Sequence, residues 1–164
     1  MASASSESNM LVAQSNLACT YQMLGQLEPA LSLRRDVYSG SLRVFGSENS
    51  ETLIDANNYA ALLKKLRRFE EARSLLRKTI PVARRVLGSN NETTLKMRMI
   101  YAKALYEDPG ATLDDLHEAV TTLEEIERTA RRVLGGAHPV VKSIEAVLRN
   151  ARARACETLS TGSA

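Results

Sequence analysis

A four-residue phrase that occurs three times constrains this 164-residue chain more than any other feature. It appears as Arg43-Val44-Phe45-Gly46, as Arg85-Val86-Leu87-Gly88 and as Arg132-Val133-Leu134-Gly135. The closing glycines are 42 and 47 residues apart, and self-similarity at a period of roughly 20 to 50 residues is typical of solenoids. The phrase therefore predicts a fold built from similar units stacked in chain order.

The residues between the glycines predict two helices for each unit. In the first unit, apolar residues recur at helical spacing over 9–24, and Gly25 is placed to end that helix. The spacing predicts a second helix over 27–45, closed by Gly46. We expect the first helix to be amphipathic, with an apolar stripe made of Leu11, Leu17, Ala18, Tyr21 and Leu24.

The later units repeat this pattern with one departure. The second unit opens near Ser50 and turns at Arg67-Arg68. The third inserts a loop over 107–112, after which Thr112 or Ala111 precedes a helix with acidic residues in its first turn. The sequence predicts an all-α fold of three antiparallel helix pairs, at about 9–46, 47–88 and 89–135, with a capping helix at 136–157. Residues 1–8 and 158–164 are expected to be disordered tails.

Composition excludes several functional classes. Hydrophobic residues make up 44% and charged residues 25% of the chain, which is typical of a globular protein, and the net charge of +3 is too small to indicate nucleic-acid or membrane binding. Cys19 and Cys156 lie far apart, and no metal-ligand spacing or phosphate loop is present. We therefore expect no cofactor, no metal, no enzymatic activity and a cytoplasmic location.

Small residues at matching positions identify a family. In the first helices these residues are Ala18, Ala60 and Ala102, and in the second helices they are Ala30, Ala72 and Ala119. A larger apolar residue stands three positions before each alanine of the second helices, namely Leu27, Phe69 and Leu116. Over residues 9–157 this pattern resembles tetratricopeptide repeats (TPR), and the long period with His138-Pro139 is similar to the 42-residue variety found in kinesin light chains. The resemblance implies a right-handed superhelix acting as a protein-binding scaffold.

The resemblance also implies where a partner binds, because the first helix of each pair lines the concave face in this family. Carried onto this chain, it gives the candidate peptide-binding residues Asn16, Asn57, Asn58, Lys65, Lys96, Met99 and Lys103. Asparagine amides can donate and accept bonds along an extended peptide. Lys64, Lys65, Lys96 and Lys103 could together make one end of the groove basic and favour an acidic peptide, although a solvated helix face is the alternative for such charges.

Two further interpretations remain open at this level. Arginine pairs such as Arg84-Arg85 and Arg131-Arg132 invite a nucleic-acid function, but two such pairs close second helices, where cations offset the helix dipole. No cap precedes Leu11 at the start of the solenoid. The alternative function is therefore an assembly or regulatory region of a larger protein that associates with itself, as a weak homodimer, through an exposed end.

Overall fold

The computed structural model describes residues 4–161, and within that range every regular element is a helix. The odd-numbered helices are the first members of each pair, the even-numbered helices are the second members, and α7 is the cap. Their bounds are α1 (Ala4–Met23), α2 (Leu27–Phe45), α3 (Ser50–Lys65), α4 (Phe69–Val86), α5 (Glu92–Tyr106), α6 (Leu113–Leu134) and α7 (Pro139–Thr161). The all-α class predicted from the sequence is confirmed.

Positive backbone φ angles mark the predicted turns. Gly46 and Gly135, which close two of the repeated phrases, have φ angles of 83° and 82°. Inside the first unit, Gly25 has a φ of 75° and lets the Gln26 amide bond back to the Tyr21 carbonyl. Arg67 lies 42 residues later and adopts the same left-handed conformation, with a φ of 61°, which is uncommon for a residue with a side chain. The second unit therefore has the same turn geometry as the first, although arginine replaces glycine at this position.

Side-chain caps fix the starts of the later helices. Asn49 and Asn91 each accept a bond from the amide two residues on, in the extended conformation usual for such caps. Thr112 forms a capping box with Asp115, whose pKa is lowered chiefly by the bond from the Thr112 amide. The His138 Nδ1 atom accepts from the Val140 amide at 3.2 Å. The helices α3, α5, α6 and α7 therefore begin where a short polar side chain or an imidazole satisfies free backbone donors, whereas α2 and α4 have no side-chain cap.

The helices pack in chain order, each on the next. The first helices α3 and α5 also lie side by side, as do α5 and α7. α1 differs, because within residues 4–161 it packs on α2 alone. A core of small and large apolar residues runs through α3 to α7 and includes Ala60, Leu76, Ala102 and Leu123, all fully buried.

Two sequence predictions about the chain ends differ from the structure. α1 begins at Ala4, so the disordered tail predicted for residues 1–8 is wrong for residues 4–8; Leu11 anchors α1 against Gly40 of α2, and extending an anchored helix costs little. α7 continues to Thr161 rather than ending near 157. Residues 1–3 and 162–164 lie outside the described residues.

The apolar stripe predicted for α1 is only half buried in the fold. Leu11 and Ala18 pack on α2, as expected. Leu17 and Leu24 are instead 45% and 67% exposed, because they lie on the side of α1 that faces away from α2 and no other helix of the described chain covers that side.

Candidate functional site

The candidate site is built on one face of α5. Lys96, Met99, Lys103 and Glu107 recur every three or four residues and therefore share a helix face. We call these four residues the α5 strip. At a rise of roughly 1.5 Å per residue, the strip is roughly 16 Å long. A cavity adjoins each of its ends.

The first cavity is basic and has a volume of about 430 Å³. It is formed where the C-terminal ends of α3 and α5 meet the second half of α7. Four of its eight lining side chains are cationic and one is a carboxylate; the full lining is Lys64, Lys65, Arg67, Phe69, Tyr106, Glu107, Asn150 and Arg154. We call it the basic cavity. Most of its side chains come from α3, α5, α7 and the turns after α3 and α5, and Phe69 is added from the start of α4, so the packing of α3, α5 and α7 creates it.

Electrostatics in and beside the basic cavity leave an excess of positive charge. Lys64 donates to Glu107 at 2.9 Å, which offsets one cation. Burial lowers the pKa of Lys103, the Lys64 charge lowers it further, and Glu107 partly opposes both effects. Arg154 is held by a bond to the Asp108 carbonyl at 2.7 Å. No ion pair within the described residues neutralises Lys65, Arg67 or Lys103.

Tyr106 lies in the lining of the same cavity and stays a neutral phenol at physiological pH. Burial and the neighbouring Glu107 carboxylate raise its pKa to about 12, although a bond with Asn150 acts in the opposite direction. The cavity therefore combines cations with a neutral phenol and an amide.

The second cavity is mainly apolar and has a volume of about 420 Å³. It lies between the N-terminal halves of α5 and α7, next to the end of α6. Five large apolar side chains dominate a lining made of Leu95, Met99, Leu134, Val140 and Ile144 with Asn90, Glu92, Lys96, His138 and Ser143. We call it the apolar cavity. Pockets with an apolar lining and a few polar groups at the edge suit a single large side chain of a ligand.

Lys96 lies beside the apolar cavity and not with the other lysines. It pairs with Glu92 at 2.7 Å, one helical turn away, and this bond is the main cause of the lowered pKa of Glu92. Lys96 is also about two turns from Lys103 along α5. The four-lysine cluster considered from the sequence therefore divides: Lys64, Lys65 and Lys103 lie at one end of the strip, and Lys96 lies at the other.

The predicted asparagines of α3 are half-buried and adjacent. The Asn57 amide nitrogen approaches the Asn58 oxygen at 3.5 Å. The Asn57 Oδ1 atom is buried and has no hydrogen-bond partner in the described part of the chain. A buried acceptor without a donor is unfavourable, so this amide is better satisfied when a donor reaches it.

Asn16 is the one predicted site residue that the fold separates from the others. It is exposed on α1, and within residues 4–161 α1 makes no contact with α3. Asn16 and Asn58 therefore match in repeat register without sharing a continuous surface.

Two residues of the site lie on α7, for which the sequence predicts only a capping role. Asn150 and Arg154 line the basic cavity, and they lie 47 residues after Lys103 and Glu107, the same interval that separates Gly88 from Gly135. The repeat register therefore contained the signal that would have found them.

Arg34 has a structural role that its sequence context does not reveal. It is only 5% exposed, and it lies at the repeat position that Leu76 and Leu123 fill in the other second helices. Its guanidinium bonds to Ser15 at 2.9 Å, to the Cys19 sulfur at 2.9 Å and to Gln22 at 3.1 and 3.2 Å, all on α1. At this repeat position, polar bonds connect α2 to α1, whereas the other pairs have a buried leucine there.

The described residues contain neither a metal-ligand cluster nor a membrane-spanning helix. Across positions 4–161, no three histidine, cysteine, aspartate or glutamate side chains come together as metal ligands. In that part of the chain, no helix has both the length and the apolar character needed to cross a bilayer.

Stacked helix pairs with a continuous core define a helical repeat scaffold, a class that presents extended surfaces to partners. A tetratricopeptide repeat family model matches residues 10–51 and 56–92. These two segments are tetratricopeptide repeats, and the relatives of the chain in structure are of the kinesin-light-chain-like kind. Proteins with this fold are generally interaction scaffolds and not catalysts.

Solved structures support the same assignment. A putative kinesin light chain of Podosopora anserina with nearly identical TPR-like repeats has a TM-score of 0.76 and 25% identity, over 93% of this chain and 72% of that one. A single-residue variant of the same kind of protein from that organism gives 0.74 and 23%, over 92% and 72%. BtubC (BKLC) from P. vanneervenii gives 0.69 and 16%, over 96% and 66%. No curated protein matches the sequence significantly.

Proposed function

We propose that this protein binds an extended, acidic segment of another protein along the α5 strip. The observation that supports this function is the pairing of two different cavities at the ends of one helix face: the basic cavity beside Lys103 and the apolar cavity beside Met99. A segment that fills both would be held by charge at one end and by shape at the other. The general role of the fold as a protein-interaction scaffold agrees with this proposal.

The basic cavity would receive carboxylates of the bound segment. Lys65 and Arg154 lie in its wall, and Lys103 lies within electrostatic range of Lys64 and Glu107. Complementary charge increases association rate and selects against basic partners. Aspartate, glutamate or a C-terminal carboxylate all supply the required group.

The apolar cavity would receive one large hydrophobic side chain. An extended peptide advances about 3.3 Å per residue, so the roughly 16 Å of the strip corresponds to about five residues between the acidic group and the apolar anchor. Buried anchors of this kind usually account for most of the binding energy in an interface. Asn57 and Asn58, on the neighbouring α3, would bond to the peptide backbone between the two ends.

A designed peptide tests the proposal directly. It carries two glutamates and, about five residues away, one phenylalanine, and its affinity is measured by fluorescence anisotropy with the full chain. We expect Lys103→Glu to weaken binding about tenfold or more, because a cation beside the acidic end becomes an anion, and Met99→Glu to weaken it similarly through the apolar cavity. Lys78→Glu is the matched control, since Lys78 is an exposed lysine of α4. Equal affinities for Lys103→Glu and Lys78→Glu would contradict the proposal.

The pH dependence of binding gives a second test. Burial and the nearby Lys64 charge hold the pKa of Lys103 below that of an ordinary lysine, so its positive charge is lost earlier than usual as pH rises. Affinity for the acidic peptide should therefore fall as pH is raised from 7 toward 10. Lys103→Arg keeps its charge throughout this range, and its affinity should remain nearly constant. A parallel decline in both proteins would show that Lys103 is not the group involved.

A further inference from the structure

The outer face of α1 is apolar and uncovered. It consists of Met10, Ala13, Leu17, Thr20 and Leu24, which follow one another at intervals of three and four residues along the helix. Met10, Leu17 and Leu24 are 50%, 45% and 67% exposed. We call this set the N-terminal face. Three large apolar side chains in one exposed helical stripe usually mark an interaction surface.

The repeat register shows that this face is built to receive a helix. Adding 42 to Met10, Leu17 and Leu24 gives Thr52, Tyr59 and Leu66. In α3, the Thr52 hydroxyl donates to the Ser41 carbonyl of α2 at 3.2 Å, and the Tyr59 ring lies 6.2 Å from the Tyr38 ring.

The same contact recurs one unit later. Thr94 of α5 donates to the Ala83 carbonyl of α4 at 3.4 Å, and both residues lie 42 positions after the first pair. First helices therefore use this face to pack on the second helix before them. In the described part of the chain, α1 has no such helix.

Charge limits what can cover the N-terminal face. No residue from Ser8 to Leu27 is charged, so an occupant with a charged contact surface would lose hydration without gaining an ion pair. The opposite end of the solenoid has such a surface: Lys142, Arg149 and Arg152 are exposed on α7. Head-to-tail stacking of α7 on α1 is therefore unfavourable.

The N-terminal face is complementary to itself. In an antiparallel pair of α1 helices centred on Leu17, Met10 meets Leu24 of the partner subunit, and Leu17 meets Leu17 of the partner subunit. Along each helix, small Ala13 lies between Met10 and Leu17, and Thr20 lies between Leu17 and Leu24, so large side chains at the centre and ends alternate with smaller ones. Isologous contacts of this kind close on themselves and give a dimer.

We propose that the N-terminal face binds a second copy of this chain, through antiparallel packing of α1 on α1. The contact leaves the α5 strip free, since α1 packs on neither α3 nor α5 within residues 4–161. Dimerisation would thus present two peptide grooves in one particle. It is independent of the function proposed for the groove.

Light scattering after size exclusion tests the proposal on the full chain. We expect a monomer–dimer equilibrium that depends on concentration, and we expect Leu17→Glu to weaken dimerisation about tenfold or more, because it places two carboxylates against each other. Val133→Glu is the matched control, since Val133 is 48% exposed on α6. A wild-type chain that remains monomeric at every concentration would overturn the proposal, as would equal dimerisation of the Leu17→Glu and wild-type proteins.

Cysteine cross-linking tests the register and separates this contact from other associations. In a background with Cys19→Ser and Cys156→Ser, Leu17→Cys should form a disulfide-linked dimer, whereas Met10→Cys alone should not. A mixture of Met10→Cys and Leu24→Cys chains should cross-link as a heterodimer. Cross-linking of Met10→Cys to itself would contradict antiparallel packing. Leu17→Glu should leave the peptide affinity of the α5 strip unchanged, so failure of either proposal can be recognised without the other.

Discussion

The two ends of the solenoid are formed by helices of the same type with opposite surfaces. α1 and α7 are both first helices, but α1 packs on α2 alone, whereas α7 packs on α5 and α6. The free side of α1 is uncharged, with Met10 and Leu17 exposed. The free side of α7 carries Lys142, Arg149 and Arg152. One unit earlier, in α5, the same repeat positions are occupied by Leu95, Ala102 and Leu105.

The difference comes from which residues occupy the outward positions of the two helices. Leu95, Ala102 and Leu105 are buried in α5, and in α7 the corresponding residues are cations that cannot be covered by another apolar helix without a large desolvation cost. These cations make the free side of α7 polar, as capping helices of solenoids are. The free side of α1 is a different face, at which Met10 and Leu17 take the repeat positions that Thr52 and Tyr59 use to pack on α2. It stays apolar, so that end remains able to accept a helix.

The two ends are also held to the body of the protein by different interactions. In α7, Val141 and Ile144 are buried in a cluster with Leu95, Ile126 and Ala130. α1 depends on fewer apolar contacts, among them Leu11 against Gly40, and on the bonds of Arg34 to Ser15, Cys19 and Gln22. We expect α7 to unfold with the core and α1 to unfold more easily.

The largest expected effect comes from paired truncations. Ile144→Ala should reduce the free energy of unfolding by about 2 to 5 kcal/mol, because it leaves a cavity in a fully buried cluster, and hydrogen exchange should increase in α5, α6 and α7 together. Leu11→Ala should cost about 2 kcal/mol and increase exchange mainly in α1. Hydrogen-exchange mass spectrometry distinguishes the two patterns. Equal loss of protection in α5 for both variants would contradict the difference between the ends.

Removing the buried arginine should have the next largest effect. Arg34→Ala should destabilise the protein by about 1 to 3 kcal/mol, because α1 loses its polar attachment and Gln22 loses a donor. Arg34→Leu should recover much of this loss, since leucine fills the same repeat position in Leu76 and Leu123. Urea unfolding measures both, and Arg35→Ala, an exposed neighbour, should change stability little. A leucine variant no better than the alanine variant would contradict the register argument.

A third prediction concerns the charges of α7. The triple change Lys142→Leu, Arg149→Ala and Arg152→Leu should make the C-terminal end apolar, and self-association measured by sedimentation should strengthen about tenfold, or about 1.4 kcal/mol. Similar changes scattered over exposed sites, Lys78→Leu, Arg35→Ala and Arg128→Leu, provide the control. If both triple variants associate equally, the position of the three cations does not matter.

The smallest effect is expected for a single ion pair at the same end. Arg152 pairs with Glu124 at 2.7 Å, and both side chains are about half exposed. Exposed pairs contribute about 0 to 1 kcal/mol, so Arg152→Ala should barely change the thermal midpoint. The change should be smaller still at high salt, because salt screens the ion pair. A loss as large as that of Arg34→Ala would show that α7 depends on polar bonds in the way that α1 does.

Much of the fold follows from local sequence. The range 27–45 predicted for the second helix is the observed range of α2, and the predicted turn at Arg67-Arg68 separates α3 from α4. These features depend on apolar spacing and on residues that stop helices, which act over a few positions. The start of α1 at Ala4 was not predicted, because it depends on the contact of Leu11 with Gly40, 29 residues away.

The candidate site could be predicted only in part. Repeat register placed Lys96, Met99 and Lys103 on one face of α5, and Lys65 lies in the wall of the basic cavity. Register could not show that α1 is separated from α3, which removes Asn16 from that surface. It also could not show that Lys96 pairs with Glu92 at the apolar end.

The sequence by itself determined the class, the number of units and the positions of most turns, because each depends on a period and on short-range backbone preferences. Tertiary structure decided which repeated positions are covered and which remain open. Leu17 and Tyr59 have the same place in the repeat, yet only Tyr59 has a preceding helix in contact with it. Burial is a property of neighbours in space, so identical register gave a core contact in α3 and an exposed apolar face in α1.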